Sequence, residues 1–201
     1  GVFSGSCTAL VTPFEGGQLD KDAFCKLVEW QIDSGTDALI PVGTTGESPT
    51  LSHEEHDIVV ELCIKKAAGR VPVIAGAGSN STAEAVRLAK HAADAGADAV
   101  LIVSPYYNKP TQSGLYQHFS AVADAVSVPV IVYDIPGRSI VQVAEETLVR
   151  LASDYPNIRG IKDATADVAR PTRIRNLLGA DFAQLSGEDA TALPYLAAGG
   201  H

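Results

Sequence analysis

The chain has 201 residues, 46% of them hydrophobic and 19% charged, with a formal net charge of −9. At roughly 150 residues per domain this length reads as one domain, and the acidic balance repels a phosphate backbone, which excludes a nucleic-acid partner. No apolar run reaches the ~20 residues that span a bilayer, and no basic start precedes an apolar one, so we expect a soluble protein of the cytoplasm and no membrane partner. Cys7, Cys25 and Cys63 lack CxxC spacing and cannot all pair, which suits small core residues of a reducing compartment. Methionine is absent, so residue 1 is expected to lie inside a longer native chain.

Apolar runs of strand length occupy residues 8–11, 38–42, 71–75, 99–103, 128–132, 158–161 and 182–185. Their starts are 30, 33, 28, 29, 30 and 24 residues apart. Between them lie amphipathic stretches of helical length, such as Phe24, Leu27, Val28 and Ile32, or Ala83, Val86, Ala89 and Ala93. Ser52 with Glu55, and Ser81 with Glu84, fit capping boxes at two helix starts. Runs that are apolar without alternation are covered on both faces, as in a parallel sheet with right-handed crossover helices. Seven such units at this spacing favour a (β/α)8 barrel of the α/β class over a doubly wound sheet of five or six strands. A barrel needs eight strands and about 250 residues, whereas residues 198–201 fall in the turn that leads to the eighth. Residues 1–201 are therefore read as one barrel catalytic domain, incomplete at its C-terminus. An open arc leaves two strand edges bare, so this segment is expected to fold poorly alone.

In such a barrel the chemistry sits at the C-terminal ends of the strands. After the second run comes Gly43-Thr44-Thr45-Gly46-Glu47. Its glycine-flanked hydroxyls and backbone N–H groups suit a small carboxylate, and they also suit an ordinary turn capping the next helix. Ser104-Pro105-Tyr106-Tyr107 follows the fourth run and Tyr133-Asp134-Ile135-Pro136-Gly137-Arg138 ends the fifth. These tyrosines are either packing residues or, for Tyr133, a hydroxyl projecting into the mouth. The sixth run ends in Gly160-Ile161-Lys162-Asp163. A lysine held in the mouth is costly to desolvate, so its pKa falls from about 10.4 and the neutral amine can attack a ketone. The alternative is a lysine that snorkels to solvent or pairs with Asp163 or Asp189. His53 and His56 are three apart on one helix, a spacing that reads as helix surface, and with no third ligand nearby no metal site is expected. No GxGxxG follows the first strand, and Gly76-Ala77-Gly78-Ser79-Asn80 lacks the Lys and Ser/Thr of a phosphate loop.

The segments 43–47, 133–138 and 160–165 together resemble the signature segments of the dihydrodipicolinate (4-hydroxy-tetrahydrodipicolinate) synthase family. That family belongs with N-acetylneuraminate lyase among the pyruvate-dependent class I aldolases. The resemblance runs from about residue 1 to the last residue and implies that strand 8 and a C-terminal helical region follow. It implies condensation of pyruvate with L-aspartate 4-semialdehyde, in the diaminopimelate route of lysine biosynthesis, with no cofactor beyond a covalent Schiff base on Lys162. It further implies Tyr133, Thr44 and Tyr107 as the proton-transfer group, with Tyr107 reaching into a neighbouring subunit. Thr45 would hold the pyruvate carboxylate, Arg138 the carboxylate of the semialdehyde, and Gly187 would line the pocket. The family implies a homotetramer of tight dimers. It also implies feedback inhibition by L-lysine at Ser48, Pro49, His53, His56, Asn80, Glu84 and Tyr106, with Pro49 standing where Ala is common.

The chain departs from the family pattern at Asp134, often Asn, at Ser139, often Thr, and at Asp163-Ala164-Thr165-Ala166, often Glu-Ala-Thr-Gly. None of these removes a proposed functional group. A neuraminate lyase-like chain would resemble Gly-Ser-Thr-Gly-Glu after the second run and would lack the Pro-Gly-Arg arginine. Thr44 and Arg138 therefore favour the synthase. The rival readings are a lyase of 2-keto-3-deoxy sugar acids and a ligand-binding barrel without chemistry. Arg138 opposes the first, and joint retention of Lys162, Tyr133, Thr44 and Tyr107 opposes the second.

Overall fold

The computed structural model describes residues 3–201. In chain order it contains β1 (Cys7–Ala9), the short strands β2 (Phe14–Glu15) and β3 (Gln18–Leu19), α1 (Lys21–Asp33), β4 (Ala38–Ile40), α2 (His53–Ala67), β5 (Ile74–Gly76) and α3 (Thr82–Ala95). It continues with β6 (Ala99–Val103), α4 (Gln112–Ala125), β7 (Val130–Asp134), the single turn α5 (Pro136–Ser139), α6 (Glu145–Asp154), β8 (Ile158–Asp163), α7 (Arg170–Leu178), β9 (Ala183–Ser186) and α8 (Ala192–Ala197). Each of the seven apolar runs carries one strand of a parallel arc. The hairpin β2–β3 is an addition that its two-residue strands, too short for a period, do not announce.

The strands pair in parallel in the order β5-β6-β7-β8-β9, with β1-β4 beside them. Leu39 N–H donates to the Pro72 carbonyl at 2.9 Å and Gly76 N–H to the Pro41 carbonyl at 3.0 Å, which joins the two groups into one seven-stranded arc. This is the (β/α)8 barrel through its seventh strand. Alternation along each strand divides the core into two layers. Ala38, Ile40, Ile74, Leu101, Ile131 and Tyr133 form the inner cluster. Leu39, Ala75, Val100, Ile102, Val130 and Val132 pack outward against helix residues such as Phe24, Val60, Phe119 and Leu151. Both layers are buried, which is why the runs show no polar alternation.

The helix starts follow from the capping chemistry. Ser52 and Glu55 satisfy each other's backbone N–H groups at the head of α2, a complete capping box. At α3 only half of the expected box forms. Ser81 accepts from Glu84 N–H at 3.4 Å, but the Glu84 carboxylate is turned to Ser79 and His53. Gly96, at φ 99°, closes α3 in the left-handed conformation that glycine adopts without strain. Cys7, Cys25 and Cys63 are free thiols.

Candidate active site

Register brings the chemistry together. Val103, Tyr133, Lys162 and Leu185 are paired in turn across β6, β7, β8 and β9. They therefore form one inward-facing row near the C-terminal strand ends. The Lys162 Nζ lies 4.7 Å from the centroid of the Tyr133 ring. Burial lowers the Lys162 amine below the usual lysine range, while the Asp189 carboxylate pulls it partly back. Burial likewise raises the Tyr133 phenol, opposed by the Thr44 hydroxyl and the Arg138 guanidinium. A proton is thus held on the phenol next to an amine that gives its proton up readily.

Lys162 makes no ion pair with Asp163, contrary to one of the sequence readings. Neighbours on a strand face opposite layers, and Asp163 points outward to Arg170, 3.5 Å from its Nη1. Gly187 packs on the lysine stem. A Cβ placed there would stand 3.1 Å from Lys162 Cε and 3.1 Å from Ala164 Cβ.

A cavity of about 220 Å³ opens beside Tyr133 and is lined by Thr44, Ser48, Tyr106 and Arg138 among polar residues, and by Val42, Leu101, Val103 and Ile135 among apolar ones. Tyr133 is part of its lining, and Lys162, whose Nζ lies 4.7 Å from the Tyr133 ring centroid, is not. Arg138, on α5, is exposed at the cavity and forms no ion pair among the described residues. Thr45 and Tyr107 do not line the cavity. Thr45 is exposed on the turn. Tyr107 is 87% exposed on a backbone of φ 69°.

The backbone around the cavity is tight. A Cβ on Gly76 would lie 2.3 Å from the Val42 carbonyl oxygen, and one on Gly78 would lie 2.5 Å from Val103 N. Gly76 and Gly78, in a stretch that is no phosphate loop, line this close-packed cavity wall. Val42 itself sits at φ 47°, an unusual conformation for a β-branched residue, where β4 hands over to the Gly43–Glu47 turn. The buried Thr12 hydroxyl anchors that turn by donating to the Gly46 carbonyl at 2.7 Å. Thr12 carries no motif, and its role depends on a contact 34 residues away.

A second cavity, about 60 Å³, is lined by Ser48, Pro49, His53, His56, Glu84 and Tyr106, together with Leu51, Gly78 and Leu88. Six of the seven residues that the resemblance assigned to lysine thus share one wall. Asn80 does not join them. Its amide donates to the Asn108 side chain at 3.2 Å and ties two loops together. Glu84 accepts from Ser79 and lies 2.5 Å from His53 Nε2, and these partners hold its carboxyl below the usual range. His56 is buried rather than on the helix surface. Because a carbonyl can only accept, His56 Nε2 carries the proton that bonds Gly76 O at 2.9 Å, and burial lowers its pKa to about 4.

Among the described residues no group of three or more His, Cys, Asp or Glu is placed to hold a metal ion, and no helix is long and apolar enough to cross a membrane.

A sequence model described as the dihydrodipicolinate synthetase family matches residues 2–201. The chain belongs to the dihydrodipicolinate synthetase family. It is 64% identical over 200 residues to the 4-hydroxy-tetrahydrodipicolinate synthase of Rhodopseudomonas palustris, covering 100% of this chain and 67% of that protein. Among solved structures it superposes on the chloride-inhibited dihydrodipicolinate synthase of Acinetobacter baumannii complexed with pyruvate, with TM-score 0.94 and 51% identity, over 98% of this chain and 67% of that one. It also superposes on the enzyme of Cyanidioschyzon merolae with lysine bound, with TM-score 0.94 and 43% identity, over 97% of this chain and 67% of that one. The chain is therefore that of a lyase of this family.

Proposed function

We propose that Lys162 is the nucleophile of a pyruvate-condensing site and that residues 1–201 are one barrel catalytic domain of a longer protein. The reaction is condensation of pyruvate with L-aspartate 4-semialdehyde to give 4-hydroxy-tetrahydrodipicolinate and water, a step of lysine biosynthesis. The observation that carries the residue assignment is the pairing of Lys162 with Tyr133 on adjacent strands, with burial favouring the neutral amine. The neutral Nζ attacks the ketone carbon of pyruvate, and loss of water leaves an imine. Tyr133 relays a methyl proton to give the enamine, passing its own phenolic proton on to Thr44 and Tyr107 of a second copy as it receives the new one. The enamine carbon attacks the aldehyde of the semialdehyde, whose oxygen receives the proton back. The substrate's own amine then adds to the imine carbon and expels Lys162, closing the ring. The net balance is one water released, and no cofactor is needed beyond the covalent imine.

Arg138, unpaired at the cavity mouth, suits the semialdehyde carboxylate, since its planar fork matches two oxygens. The Thr44–Thr45 turn supplies backbone N–H groups for the pyruvate carboxylate, and Gly187 keeps the lysine stem unobstructed. The exposed Tyr107 supports assembly into tight dimers, paired into a tetramer. The smaller cavity supports inhibition by L-lysine, with Glu84 facing its ammonium. The proposed compartment is the cytoplasm.

The test is intact-mass analysis of the full-length protein after borohydride reduction, with and without pyruvate. A pyruvate-dependent adduct on Lys162, lost in Lys162→Ala, is the expected result. A folded oligomer that gives no adduct overturns the assignment.

A further inference from the structure

The outward-facing neighbours of Tyr133 and Lys162 form a buried charged cluster that the chemistry above does not use. Arg170, at the start of α7, is fully buried, as are Asp134 and Asp163. Its Nη1 donates to Asp134 Oδ2 at 2.7 Å and lies 3.5 Å from Asp163 Oδ1. Its Nη2 donates to the Val143 carbonyl at 2.6 Å. Val143 N–H in turn donates to Asp134 Oδ2 at 3.1 Å. The backbone completes the lattice, with Ala164 N–H donating to the Asp134 carbonyl at 2.9 Å and Gly187 N–H to the Asp163 carbonyl at 2.7 Å.

These contacts have a common geometry. Asp134 follows Tyr133 and Asp163 follows Lys162, so one guanidinium fastens the two strand ends that carry the reacting side chains. Val143 closes the base of the loop 134–143, which holds Arg138 on α5 and contains Ile140 at φ 69°, strained for a β-branched residue. A single side chain therefore ties down the bearers of the amine, the phenol and the carboxylate clamp. A lysine in its place would keep one charge but lacks the fork that reaches Asp134 and Val143 at once.

We infer that Arg170 is a positioning residue for the condensation: through Asp134, Asp163 and Val143 it sets the mutual placement of Lys162, Tyr133 and Arg138. The inference rests on the lysine imine proposed above. Misplacement of reacting groups by about 1 Å costs on the order of a hundredfold in rate, whereas binding of a small ketone depends on it far less.

The test is Arg170→Lys in the full-length protein, assayed at a temperature where circular dichroism shows it fully folded. The expected result is at least a tenfold fall in kcat and in the rate of borohydride-trapped imine formation, with KM for pyruvate changed less than threefold. A role in stability alone would lower Tm but restore kcat once the protein is folded. Should Arg170→Lys fail to fold, Asp134→Ala and Asp134→Asn give the same reading. Asn keeps an acceptor of the same shape and should retain kcat, while Ala should lose it. A folded Arg170→Lys or Asp134→Ala variant with kcat within twofold of the parent overturns the inference. Absence of any adduct in the unmodified protein would instead overturn the imine assignment on which it depends.

Discussion

Replacing Gly187 with Ala separates catalytic placement from stability. The added methyl would sit 3.1 Å from both Lys162 Cε and Ala164 Cβ and 3.3 Å from Lys162 Cγ. Ordinary contact starts near 3.4 Å, so the neighbours must withdraw by about 0.3 Å. The lysine stem can rotate to do so, while Ala164 can withdraw only with its backbone, so the cost is set at the low end of ordinary overpacking, about 1 kcal/mol. Loss of glycine's freedom in the unfolded chain offsets roughly 0.4–1 kcal/mol of that. Tm should thus stay within about 2–4 °C of the parent, since 1 kcal/mol moves a domain of this size by that amount. The Nζ sits at the end of the displaced stem. A shift of several tenths of an ångström there should slow imine formation roughly three- to tenfold, by proportion with the hundredfold cost of about 1 Å. Thermal melts read the first quantity and the rate of borohydride trapping with pyruvate reads the second. A trapping rate equal to the parent's, or a fall in Tm beyond 10 °C, would refute the packing argument.

Arg138→Ala should leave the pyruvate adduct intact while raising KM for L-aspartate 4-semialdehyde at least tenfold, because only the acceptor's carboxylate uses the guanidinium; equal losses with both substrates would contradict this. Gly76→Ala should destabilise by about 3 kcal/mol or more, at or above the upper end of ordinary overpacking, since its methyl meets the Val42 carbonyl oxygen at 2.3 Å; a denaturant midpoint like the parent's would exclude so tight a wall. Stability should fall as pH drops from 6.5 to 5. His56 and His118 are held neutral by burial with pKa lowered from 6.5 to about 4, so the unfolded chain takes up protons first throughout that window. Urea titrations that give the same free energy at both pH values would contradict it.

The strands were legible because both of their faces are buried, and an unbroken apolar run signals that condition directly. The inward row followed once Tyr133 and Lys162 were seen at the ends of such runs. What stayed hidden depends on distance along the chain. Arg170 bonds Asp134 across 36 residues, and nothing in the local sequence separates it from the exposed Arg173 three positions on. Glu84 fits a helix cap by spacing, yet its carboxylate is claimed by Ser79 and His53, which only the fold brings near. His56 was taken for a surface residue because its partner is a backbone carbonyl, and carbonyls leave no trace in composition. Gly76 and Gly78 fitted no phosphate loop, and the structure uses their lack of a side chain instead.

Ser48, Pro49, Gly78 and Tyr106 line both cavities, so the partition between them is a single layer of residues. For anyone redesigning this protein, that thinness divides the second cavity into two kinds of position. Changes at the four shared residues alter both chambers at once and trade one behaviour against the other. Leu51, His53 and Leu88 face the smaller chamber alone. Under the proposed assignment of the two cavities, substitutions there alter the smaller chamber and leave the larger chamber's lining as it is.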